Sequence, residues 1–170
     1  MWYDSFTFWE TNPGLTEPVA ADYFARPFSE PEFADFPAID SLYPQGKTAA
    51  VFPVPEQLQL PAEYQELLAY SNGGVILNGE REFSYFMPED IRGFYIRYGF
   101  PIWAPALLPI GLNGGGVFYA YDFQQPGKPP IVAVAAGDIG YEGAVELGRN
   151  LVDVLRADTN ISDELYRQSG

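Results

Sequence analysis

The chain has 170 residues, 47% hydrophobic and 19% charged, with 3 Trp, 12 Tyr and 13 Phe. That composition supports a buried core and excludes a disordered acidic tail. It contains neither Cys nor His, which removes thiol nucleophiles, Ser-His-Asp triads, imidazole acid–base chemistry and Cys/His zinc sites. Nine Lys and Arg stand against 23 Asp and Glu, a net charge of −14. Such a chain repels nucleic acid and anionic membranes and attracts a basic partner, although charge excess also serves plain solubility. The segment Met1 to Glu10 has no basic stretch, and no apolar run approaches the ~18 residues of a membrane span. The expected setting is therefore cytoplasmic.

Residues 1–57 hold eight of the 16 prolines and 12 aromatic residues. Proline at that density excludes long helices, and the aromatics argue against a loose linker. The stretch reads as an irregular arm packed on the main domain, with short strands at Ser5–Trp9 and Ala49–Val54. From residue 60 the periodicity sharpens. Leu60, Tyr64, Leu67 and Leu68 form one helical stripe over 61–71, with Pro61 at its first position and Asn72-Gly73-Gly74 as its stop. Val75–Leu77 and Phe83–Phe86 read as a hairpin around Asn78-Gly79.

Pro88-Glu89-Asp90 opens a second helix over 88–98, its carboxylates placed where the helix dipole favours them, and Gly99 ends it. A Pro-rich linker, Phe100 to Pro105, then leads to strands at 106–110 and 117–123 joined by the glycine-rich turn Gly111–Gly116. Ile131–Ala135 is an unbroken apolar run, expected at a buried central position, and Ala144–Leu147 is a further strand. A core helix spans 149–157, and a short polar helix is expected near Ser162–Arg167.

Several of these segments carry specific wording. Leu60-Pro61-Ala62-Glu63-Tyr64 runs through Leu67-Leu68 to Asn72-Gly73-Gly74. Leu108-Pro109-Ile110-Gly111 is followed by Gly114-Gly115-Gly116 and Tyr121-Asp122, and Leu147 by Asn150-Leu151-Val152-Asp153-Val154-Leu155. In this order the chain resembles the SUKH superfamily, the group of fungal cell-wall assembly regulators and bacterial immunity proteins. The resemblance implies an α+β fold: a single domain with a mixed or antiparallel sheet covered by helices, here over residues 58–158. Residues 1–57 would form the Pro- and aromatic-rich N-terminal arm and 159–170 a tail or short helix. It also implies a binding module with no catalytic residues, whose partner is a protein, in bacteria a polymorphic toxin and often a nuclease. The chain departs from the family pattern before residue 60, where Pro53 and Pro55 exclude the helix that usually precedes the Leu-Pro motif.

The residues themselves leave alternatives open. The run Gly111–Gly116 lacks the Gly-Lys-Ser/Thr ending of a phosphate loop and is followed by a strand where such a loop needs a helix, so no cofactor site is expected, nor any metal site. Asn160-Ile161-Ser162 matches a glycosylation sequon, idle in a cytoplasmic protein. Interfaces concentrate energy in aromatic anchors within a polar rim, and Trp103, Tyr121, Asp122, Asp138, Tyr141 and Glu142 offer that mixture at loops and strand ends. Trp103 and Tyr121 serve equally well as cover for the sheet. The expected partner is a basic toxin domain; the sequence encodes no oligomeric state. The competing reading is a carbohydrate-binding protein, or a glycoside hydrolase using two of the carboxylates Glu89, Asp90, Asp122, Asp138 and Glu142.

Overall fold

The computed structural model describes residues 1–29, 31–32, 42 and 54–168. Among them, seven strands form one antiparallel sheet in which sequence neighbours are spatial neighbours. These are β1 (Thr7–Thr11), β2 (Gly74–Asn78), β3 (Arg81–Tyr85), β4 (Leu107–Leu112), β5 (Val117–Asp122), β6 (Ile131–Ala135) and β7 (Val145–Gly148). The helices that accompany them include α1 (Ala62–Tyr70), α2 (Pro88–Arg97), α3 (Phe100–Trp103), α4 (Leu151–Arg156) and α5 (Ile161–Gln168). The architecture is α+β, with the first strand supplied by the Pro-rich arm. No helix among the described residues is long and apolar enough to cross a membrane.

Cross-strand pairing places Ile76, Phe83, Gly111, Tyr119 and Ala133 on one face. The helix α1 covers it, the Tyr64 ring meeting Tyr85 and Tyr121 edge-on at 6.2 and 6.3 Å. The helix α4 packs on β7 and meets α1 where Leu151 N donates to Glu63 Oε2 at 2.9 Å, α5 packs on β6 and β7, and both are tied to the β2–β3 hairpin by polar side chains. Asn78 Nδ2 donates to the carbonyls of Leu155, Arg156 and Ala157. The buried Arg81 donates to Val154 O at 2.6 Å and Thr159 O at 2.7 Å and pairs with Glu164. These side chains satisfy carbonyls that the end of a helix leaves without internal partners. On the opposite face Phe118 packs against Tyr98, Phe100, Phe94 and Phe86 at 5.1 to 6.4 Å, so α2 and α3 form the second cover.

The Leu108-Pro109-Ile110-Gly111 wording now has a physical reason. Proline cannot donate to a ladder and is tolerated inside a sheet at a bulge, and the β4–β5 register shifts between Pro109 and Gly111. The Ile110 carbonyl, released from the ladder, accepts from Phe86 N at 2.9 Å and from the Tyr64 hydroxyl at 3.0 Å. The motif therefore locks α1 and the start of α2 onto the middle of the sheet.

Tyr3, Phe24 and Phe28 of the arm are buried in the common core. Gln65 exchanges hydrogen bonds with the Val19 backbone in both directions, at 3.0 and 3.1 Å, and Leu15 N donates to Leu68 O. The arm thus runs along α1, and side-chain amides satisfy backbone that its prolines keep out of regular structure.

Several expectations need adjustment. The strand in the arm is β1 at 7–11, because a 3₁₀ turn, Trp2–Ser5, occupies the preceding residues. The strand expected at Ala49–Val54 falls almost wholly outside the described residues. Pro61 caps α1 instead of opening it, and α4 begins at Leu151 because the Asn150 side chain accepts from Asp153 N at 2.8 Å. The Pro-rich linker contains a helical turn, α3. Pro101 lies in its first turn, where no amide partner is lost. Asn160 is engaged in the fold: its Oδ1 accepts from Ser162 N at 3.0 Å and Asn113 Nδ2 at 2.7 Å.

Candidate functional site

Four of the six residues singled out from the sequence come together on the sheet face that carries α2 and α3. Gly99 separates these helices with a φ of 77°, a left-handed conformation that glycine adopts at little cost. The same absence of a side chain lets the Trp103 ring lie against it, since a Cβ at position 99 would stand 2.4 Å from Trp103 Cζ3. Phe100 turns inward and is fully buried, while Ile102 and Trp103 are 42% and 51% exposed.

Opposite Trp103 lies the β6–β7 loop, residues 136–144. The Tyr141 hydroxyl oxygen accepts from Ala106 N at 2.9 Å, pinning the loop to the approach of β4. Asp138 N donates to Ala135 O at 3.0 Å and Ala136 N to Gly116 O at 2.8 Å. Between loop and helix are two hollows. One of about 250 Å³ is lined by Tyr98, Trp103, Ala136, Gly137, Asp138 and Ile139. The other, about 380 Å³, is lined by Trp103 and the loop from Asp138 to Gly143. Trp103, Asp138 and Ile139 border both. Asp138 and Glu142 are exposed, and neither joins an ion pair among the described residues.

The remaining two residues are elsewhere. Tyr121 is fully buried beneath α1 and donates to Glu63 Oε1 at 2.9 Å. Burial, reinforced by the Glu63 carboxylate, pushes its pKa well above the ordinary tyrosine value. Of its two readings, the sheet-covering one matches this position, and no face of the ring is offered to a partner. Asp122 accepts from Gln124 N and Gln124 Nε2, both at 2.9 Å, and closes the turn after β5. It borders neither hollow.

Sequence reasoning missed Ile102 and Ile139. A signal existed for the first: Phe100-Pro101-Ile102-Trp103 is wholly apolar, and one helical turn cannot bury every side chain it carries. It also missed a wider concavity, about 690 Å³, formed by Gln57, Gln59, Leu60 and Pro61 against the β5–β6 loop from Phe123 to Pro129. No set of three or more carboxylates among the described residues is grouped to hold a metal ion. What the Trp103 surface offers is a fixed aromatic and aliphatic patch with an acidic border.

A search of curated proteins returns no match. The model of the SMI1 / KNR4 family (SUKH-1) matches residues 55–156, from the approach to α1 through the end of α4, which is more than half of the chain and most of the sheet. By that match the chain belongs to the SMI1 / KNR4 family (SUKH-1).

Proposed function

We propose that this SUKH-1 chain is a non-enzymatic protein-binding module that neutralises a basic toxin domain in the bacterial cytoplasm, with the Trp103 surface as its contact. The observation that carries the reading is the half-exposed Trp103 standing between two hollows and bordered by the exposed carboxylates of Asp138 and Glu142. An anchor of large aromatic area within a polar rim concentrates binding energy. The net charge of −14 steers a cationic partner and speeds its encounter at low salt. A nuclease fits best within that class, because its own basic cleft, built for phosphate, is attracted to a carboxylate-rich surface.

The test is capture with the tagged full chain from its native host, identification by mass spectrometry, and co-expression of the captured domain. A basic domain that stops growth alone, and does so no longer when this chain is co-expressed, is the expected result. A captured set without a basic protein, or toxicity unchanged by co-expression, overturns the reading. The conservative double variant D138N/E142Q should slow association at low salt and flatten its salt dependence.

A further inference from the structure

We propose that the cleft between Trp103 and the β6–β7 loop receives the guanidinium of an arginine side chain from the partner protein. This rests on the protein-binding reading above and names the chemistry of its central contact.

Three observations select that occupant. The indole of Trp103 is held in place by its seat on Gly99 and remains 51% exposed, so an aromatic face is presented without the cost of ordering it on binding. Asp138 and Glu142 border the larger hollow with the same ring. No ion pair among the described residues engages Asp138 or Glu142, and Arg149 faces Glu146 at 3.7 Å, which leaves both carboxylates to an incoming charge. The loop carrying them is braced by the Tyr141–Ala106 hydrogen bond, which keeps the cleft open in the isolated chain.

A ring beside carboxylates discriminates among cations. Guanidinium is planar and weakly hydrated, so it stacks on an indole while its fork of N–H groups meets a carboxylate. An ammonium is compact and strongly hydrated, and makes these two contacts less well together. Phosphates and other anions are repelled by the acidic border. A second copy of the chain is also disfavoured, since each copy carries −14.

The experiment uses the ¹⁵N-labelled full chain, whose three tryptophans give three indole signals, that of Trp103 assigned with W103F. The probes are acetyl-Gly-Arg-Gly-amide and its lysine and citrulline counterparts at low ionic strength. The arginine peptide should move the Trp103 indole signal and leave those of Trp2 and Trp9 in place. Lysine should bind more weakly, and citrulline, which keeps the shape and loses the charge, should leave the signal unmoved. D138N/E142Q, which removes two exposed ion-pair partners, should weaken the arginine peptide by about two- to thirtyfold at an unchanged unfolding midpoint. W103F, followed by the backbone signals of residues 138–143, should weaken it as well.

Equal response to all three peptides, movement of all three indoles together, or no movement at Trp103 overturns the inference. The two readings fail separately. A captured basic toxin that binds W103F and D138N/E142Q as tightly as the parent chain removes the arginine cleft and leaves the inhibitor in place. A cleft that selects arginine in a chain that neutralises no toxin does the reverse.

Discussion

The Arg92 guanidinium lies 4.3 Å from the centre of the Phe28 ring, an arm residue held against α2. Arg92 also makes five hydrogen bonds to the arm, to the carbonyls of Tyr23, Arg26 and Pro27 and to both carboxylate oxygens of Glu32. One buried side chain thus substitutes for the ladder that irregular backbone lacks. Arg92→Met keeps the aliphatic stem and removes the donors. It should cost about 2–4 kcal/mol and expose residues 20–32 to protease before the sheet unfolds. Denaturant titration and limited proteolysis read the two effects. A variant with parental stability and an arm as resistant as before would show that Arg92 is not the clamp.

The same pair gives the arm a pH dependence. Partial burial works to raise the Glu32 pKa, but hydrogen bonds from Arg92 and from Ser29 outweigh it and hold the carboxyl below its ordinary value. A folded value lower than the unfolded one means that the stabilisation is complete above the unfolded carboxylate value, near ~4.3. It is lost as pH falls through the folded value. Arm cleavage should therefore accelerate in mild acid, below about pH 4. In Glu32→Gln the acceleration should shrink and cleavage should already be faster at neutral pH. An acid response unchanged in that variant would assign the effect to other carboxylates.

At the alkaline end the tyrosines under α1 and within the sheet should set the limit. Burial pushes Tyr85 up to about 12 and also raises Tyr64, Tyr119 and Tyr121 well above the ordinary tyrosine value. Each group favours its neutral form in the fold, so its contribution is complete below the unfolded value near ~10 and is lost as pH rises from there toward the folded value. Tyrosinate absorbance and circular dichroism, followed together, should show these four ionising only as the fold is lost. Full ionisation with an intact far-ultraviolet spectrum would contradict their burial.

How legible this was in the sequence depended on the kind of signal. The β2–β3 hairpin followed from Asn78-Gly79 because a turn's demand for positive φ is local, and Gly79 has a φ of 60°. Strand β6 followed from an apolar run that only a doubly covered strand uses. Arm contacts were not legible, because Arg92 and Glu32 are 60 positions apart and no periodicity links them. Tyr121 illustrates the same limit at the candidate site: its alternation in β5 is visible, but which face receives α1 is decided by register with β4. Trp103, Asp138, Tyr141 and Glu142 share loops and helix ends, where exposure is the rule, and their meeting across the sheet was not encoded locally.

The two glycines around the cleft should respond oppositely to a methyl group. Gly99 holds a φ of 77°, and an alanine there incurs about 1–2 kcal/mol for the left-handed conformation. Its Cβ would also displace the Trp103 ring, whose Cζ3 and Cε3 lie 2.4 and 2.7 Å from the ideal position. Gly99→Ala should lower the unfolding midpoint, change the near-ultraviolet dichroism and shift the Trp103 indole resonance. Gly137 borders the smaller hollow with no atom within 4 Å of its ideal Cβ and has no positive φ. Gly137→Ala should therefore leave the indole environment as it is and stabilise the chain by about 0.4–1 kcal/mol through the unfolded state. Equal responses of the Trp103 signal to the two substitutions would mean that Gly99 does not seat the ring. A response confined to Gly99→Ala fixes the orientation of the aromatic anchor to this one backbone position, which any partner docking on Trp103 depends upon.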